Sequence, residues 1–172
     1  MRLSIYDKIN LFKKAVDPFK RKDFLQETKD GFLFQGHWII RKEFLEGIPY
    51  QERLISKPYD MDLLDILQKE LEKSIEVYES FDYYAVRTEI ISNNKKGQIY
   101  ILDIPELFKR VGILKAYADF IEGVVGNSVR KLYITEGVNE LNNQKETRAY
   151  FVWFDANDRT KINAVCAGII LE

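Results

Sequence analysis

The chain predicts an α+β fold with a mainly antiparallel sheet covered by two long helices, and three stretches carry that expectation. At 83–90, Tyr84, Val86, Thr88 and Ile90 alternate with Tyr83, Ala85, Arg87 and Glu89, the period-2 pattern of a strand with one buried face. Residues 92–98 include Asn93, Asn94 and Gly97, which tolerate positive φ, so the chain can reverse into Ile99, Tyr100, Ile101 and Leu102 as an antiparallel partner. Two apolar stripes at helical spacing flank this hairpin. At 62–79 the stripe is Leu64, Leu67, Leu71, Ile75 and Tyr78, with Asp60 and Asp62 at the positive end of the helix dipole. At 105–122 it is Leu107, Val111, Leu114, Ala118 and Ile121; Asp103, Pro105 and Glu106 fit an N-terminal cap, and Gly123 or Gly126 ends the helix.

The remaining elements follow in order. Ser4 and Asp7 form a capping pair ahead of Ile5, Ile9, Phe12 and Val16, so 4–16 reads as an amphipathic helix, which Asp17 and Pro18 interrupt. Phe32, Leu33 and Phe34 before Gly36, with His37 to Ile40 after it, suit a bent strand or short hairpin with close backbone approach at the glycine. Gly47, Pro49, Ser56 and Pro58 punctuate an irregular stretch over 47–58. Leu132 and Ile134 mark a short strand, 137–146 a polar connection, and 147–155 a strand apolar enough for burial on both faces. After a turn at 155–160, a final strand spans 162–171, where Ala164, Ala167 and Gly168 leave room for close packing of a helix. One domain over 1–172 is expected, with 1–60 as an appended helical arm and loop region.

Composition narrows the class. With 46% hydrophobic and 31% charged residues, the chain can bury a core and stay in solution. A net charge of −1 supplies no overall attraction for polyanions, so nucleic-acid binding would need a local basic patch. No apolar run reaches the roughly 20 residues that span a bilayer, and the first residues lack a signal-type apolar core. A single cysteine, Cys166, forbids an internal disulfide. The expected setting is cytoplasmic, with no membrane partner. Abundant isoleucine, lysine, phenylalanine and tyrosine is what an AT-rich coding sequence produces, and it points to a phage or mobile-element origin.

The familiar catalytic constellations each fail on a named residue. His37 is the lone histidine and has no acid at a recognised spacing. Cys166 lies among Val165, Ala167 and Ile169, where desolvation disfavours the thiolate. Asp155 and Asn157 occupy the first and third places of a calcium loop, but Arg159 stands at the fifth. Asp82 and Asp103 have the spacing of a two-acid metal nuclease, yet Pro105 stands where the lysine is needed. No metal or cofactor is therefore expected. The expected function is non-catalytic binding or assembly through protein–protein contacts, with a protein partner or self-association. Phe12, Phe19, Lys20, Arg21 and Lys22 are the partner-binding candidates, because aromatics interrupt the basic run over 1–22. A nucleic-acid alternative uses that stretch together with Lys13, Lys14, Lys95 and Lys96, and a further alternative is an enzyme whose site is assembled from distant residues.

Cys166 should be buried and unreactive in the native protein. Stoichiometric labelling by a thiol reagent should require denaturant; rapid labelling without it would contradict the placement.

Overall fold

The computed structural model describes residues 3–16, 25–54, 62–79, 82–83, 85–92, 95–107, 109–139 and 141–171. Among them are three α-helices, α1 (Ile5–Val16), α2 (Leu63–Glu72) and α3 (Lys115–Val125). Eleven strands accompany them: β1 (Gln26–Glu27), β2 (Phe32–Phe34), β3 (Trp38–Arg41), β4 (Ile75–Glu79), β5 (Ala85–Ser92), β6 (Lys95–Ile104), β7 (Lys109–Leu114), β8 (Ser128–Asn139), β9 (Gln144–Asp155), β10 (Ile162–Ala167) and β11 (Ile169–Leu171). They build two sheets, β1-β2-β3-β10-β9-β8-β4 and β11-β7-β6-β5, with every strand pair antiparallel. The class is α+β, as expected, but sheet dominates it. Two short helices, α2 and α3, take the place of the two long ones expected to cover the sheet, and α1 falls where a helix was expected over 4–16.

The middle of the larger sheet is buried on both faces. Trp38, Ile40, Phe151, Trp153, Ala164 and Cys166 join a core to which α1, α3 and the smaller sheet contribute Phe12, Phe120, Ile99 and Ile104. Their sequence neighbours Ile39, Val152, Phe154 and Val165 belong to a second cluster, over which α2 lays Leu63, Leu64, Leu67 and Leu71. The period-2 pleat therefore sorts one continuous apolar run into two cores.

α1 is tied in at both ends. The Ser4 Oγ–H donates to Asp7 Oδ2 (2.9 Å) and the Asp7 N–H donates to Ser4 Oγ (3.1 Å), as the capping pattern required. Its last carbonyls have no partner within the helix. The Trp38 Nε1–H reaches the Ala15 carbonyl (3.2 Å), and the Gln35 Nε2–H reaches that of Val16 (3.1 Å). The Phe120 ring lies 5.6 Å from that of Phe12 and 5.2 Å from that of Trp38. Within 1–60, the stretch expected to form an appended arm and loops, Phe12, Val16, Leu33, Trp38 and Ile40 all enter the main core.

Several expected boundaries shift, each for a tertiary reason. The helix expected over 62–79 stops at Glu72 with Lys73 as its C-cap, and Ile75–Glu79 turns into β4, pairing Ile75 with Ile134 and Glu76 with Tyr133. β-branched Ile75 and Val77 suit that pleat. The helix expected over 105–122 is a short turn at 105–107, the strand β7, and then α3. Val111, Gly112, Ile113 and Leu114 are all buried, with β7 held between β6 and β11, a continuous burial that an amphipathic helix turn does not give. Asp103 is accordingly no helix cap; it lies in β6 opposite Arg110, 3.0 Å from its guanidinium. Gly97 is inside β6 opposite Glu89, since pairing already resumes at Ser92 and Lys95, while Asn93 and Asn94 lie outside the described residues. β8 and β9 pair without a break from Ser128 with Asp155 to Asn139 with Gln144, so the polar connection expected at 137–146 is mostly strand. Gly126, with φ of 60°, closes α3. Gly36, with φ of 112°, is demanded by the β2–β3 turn and not by close packing, because nothing lies within 4 Å of where its Cβ would sit.

Gly168 carries the chain from one sheet to the other. Its N–H donates to the Ala149 carbonyl (2.8 Å), and the next residue, Ile169, pairs with Gly112 in β7. A Cβ here would lie 2.9 Å from Ala149 Cβ, 3.0 Å from Phe151 Cε2 and 3.2 Å from Val111 Cγ1. The close packing expected at Gly168 is real, but its neighbours are strands and not a helix. Gly168→Ala should overpack this corner and cost about 1–3 kcal/mol, read as a lower denaturation midpoint. An unchanged midpoint would show that the corner yields freely.

Candidate functional site

The densest group of polar chemistry joins β6, α3, β8 and Tyr83. Tyr100 projects from β6 and stacks on Tyr83 with ring centroids 4.4 Å apart and planes 9° from parallel. The Tyr100 hydroxyl donates to Asp119 Oδ1 (2.5 Å), and Lys115, one turn earlier on α3, donates to Asp119 Oδ2 (2.5 Å). The Tyr83 hydroxyl donates to Glu122 Oε1 (3.2 Å). That carboxylate also pairs with Arg130, whose guanidinium lies over the Tyr83 ring at 4.4 Å. Residues 115, 119 and 122 share one face of α3 because they recur at spacings of four and three. Arg130 reaches them from β8.

Burial is the first cause that raises both phenols above their usual pKa; next comes the Glu122 charge for Tyr83 and the Asp119 hydrogen bond for Tyr100. Both stay neutral and donate. The two carboxylates each face a cation and a phenol, so the group is internally compensated. It is a clamp between the sheets: Tyr83 also packs 6.5 Å from Phe151 of the larger one.

Two grooves lie elsewhere, on the α2 face of the larger sheet. One groove of about 200 Å³ is mainly apolar and includes Phe34, His37, Trp38, Leu67, Tyr150 and Val165. Another of about 480 Å³ is bordered by Asp65, Lys69, Glu72, Tyr133, Phe154 and Thr160. Among the described residues no three His, Cys, Asp or Glu side chains converge as a metal site. His37 is exposed, with its ring stacked 5.8 Å from Tyr117. Cys166 is fully buried and burial raises its thiol pKa, so it is not poised as a nucleophile. The turn after Asp155 spends its oxygens internally: Asp155 Oδ1 accepts from the Asn157 N–H (2.8 Å) and Asp158 Oδ1 from the Thr160 hydroxyl (2.6 Å).

The described residues among those singled out from the sequence lie on two elements, α1 and β6. Phe12 is 1% exposed and packs in the core, so its loss would act on stability before it acted on any partner. Lys13 and Lys14 are exposed on the last turn of α1. Lys95 begins β6 and Lys96 is exposed beside it, at the hairpin end of the smaller sheet. Phe19, Lys20, Arg21 and Lys22 lie outside the described residues. What the sequence reading missed is the edge formed by β5. Val86 and Ile90, read as a buried face, are 50% and 64% exposed.

No protein-family model, curated protein or solved structure matches this chain.

The clamp has a pH signature. An unfolded tyrosine ionises near pH ~10, so two phenols with raised folded pKa contribute stability that is complete below that pH and falls as the pH climbs towards the folded values. Native Tyr83→Phe should therefore show the same phenolate absorbance rise near pH ~10 as native wild type, while losing stability less steeply above it. Loss of one tyrosine's amplitude from the native titration would mean that Tyr83 ionises freely.

Proposed function

We propose that this chain is a non-catalytic binding or assembly protein that works through protein–protein contacts, and that β5 is the contact element. The carrying observation is a sheet edge with apolar side chains: among the described strands β5 ends the smaller sheet, and it exposes Val86 and Ile90 on one side of the strand. An edge strand presents unpaired N–H and C=O groups, and strand addition to such an edge is a recurrent mode of protein recognition. The polar cluster around Tyr83 supports the same reading, since its acids, bases and phenols are engaged with one another. No described helix is long and apolar enough to cross a membrane.

The nucleic-acid alternative draws on Lys13, Lys14 and Lys96, all exposed. Two of these sit at the end of α1, where lysines also complement the helix dipole.

The test is the double variant Val86→Lys/Ile90→Lys, which places charge on the edge without touching the core. Cross-linking in the native cell, with the products identified by mass spectrometry, should recover wild type in complexes that the folded variant does not form. Identical complexes for both would defeat the edge reading. Salt-sensitive oligonucleotide binding at submicromolar concentration, retained by the edge variant, would transfer the function to the basic residues.

A further inference from the structure

We infer that the partner of β5 is the β5 strand of a second copy of this chain, paired antiparallel about a two-fold axis through Thr88. The inference rests on the edge reading above and names the occupant of that edge.

Among the described strands, the four sheet edges differ in how well they are closed. β1 has two residues and β11 three. β4 is broken by a register shift between Glu76 and Tyr78, and its Glu76 and Glu79 are engaged by Lys131 and Arg159. Short length, bulges and charge are the usual means of keeping an edge unpaired. β5 is neither short nor bulged over its first six residues, and its two charges, Arg87 and Glu89, are paired with each other: it pairs with β6 in unbroken register from Ala85 with Ile101 to Ile90 with Lys96, and the shift comes only beyond Ile90. It is the long, straight edge.

Its sequence is complementary to itself. Facing residues in an antiparallel pair point to the same side of the sheet, so the two-fold axis must pass through a residue. With the axis at Thr88, Val86 faces the second copy's Ile90, Arg87 faces its Glu89, and Thr88 faces itself. With the axis at Arg87 or Glu89, like charges would meet at the centre. Arg87 and Glu89, already an ion pair within the strand, would form a four-membered alternating set across the contact. Val86 and Ile90 of both copies would form one apolar stripe flanking the threonine pair. Opposite-charge, aliphatic and Thr–Thr facing pairs all stabilise neighbouring strands, and like charges directly opposite do the reverse. The two small sheets would merge into one of eight strands, four from each copy, closing both edges.

Sedimentation of the full chain over a series from low to high micromolar should show a monomer–dimer equilibrium. Arg87→Glu alone leaves two acids on the strand and Glu89→Arg alone leaves two bases, so each variant by itself should dimerise roughly tenfold or more weakly. An equimolar mixture of the two should recover dimer, because every facing pair is then of opposite charge while the repulsion inside each strand remains. That recovery separates a contact between chains from any effect within one. As a second arm, Thr88→Cys should give a covalent dimer on mild oxidation; Cys166, being buried, does not compete. Failure of the mixture to recover dimer, with no Thr88→Cys cross-link, overturns the inference. A wild type that stays monomeric but captures a different, identified protein in a Val86- and Ile90-dependent way overturns self-pairing while keeping the edge reading. A monomer whose associations ignore β5 overturns both.

Discussion

Burial of β3, β9 and β10 on both faces is the constraint from which the rest of the molecule follows. Trp38, Phe151, Trp153 and Cys166 need cover on one side, and Ile39, Val152, Phe154 and Val165 need it on the other. The first side receives α1, α3 and the smaller sheet; among the described helices the second receives α2, whose buried residue is Leu63. Apolar burial stabilises roughly in proportion to area, so the side packed against two helices and a sheet holds most of the folding energy. The thin cover on the α2 side is why both grooves open there.

The smaller sheet is joined to this frame at two places with different physics. At Gly168 the backbone itself crosses, and the fit depends on a missing Cβ. Around Tyr83 and Tyr100 the join is polar, with stacked phenols between the carboxylates and cations of α3 and β8. The network is half-buried, and each of its carboxylates meets both a cation and a phenol. Among the described strands, β5 is left as the outer edge of the smaller sheet.

Part of this was readable in the chain. The Ser4–Asp7 cap, the stop at Gly126, the β5–β6 reversal, the turn after Asp155 and the burial of Cys166 depend on neighbours in sequence, and local pattern carries such information. Of the proposed contact, the strand and its alternation were legible. Its exposure was not, because whether Val86 and Ile90 face protein or water depends on how far α3 and the larger sheet extend over the hairpin.

The sequence by itself determined the α+β class, the antiparallel pairing and the apolar segments that form the core. Tertiary structure alone decided that 75–79 and 109–114 are strands: Ile75 and Tyr78 continue a helical stripe, as do Val111 and Leu114, and only pairing with Ile134, Leu132, Leu102 and Ile99 overrides it. It also decided that Phe12 lies in the core, since Phe120 and Trp38, which share that core, come from elements more than twenty residues away. The division into two sheets at Gly168 has the same origin. A glycine in a strand reads as weakness until Ala149, Phe151 and Val111 arrive within van der Waals reach, and their arrival is a property of the folded chain.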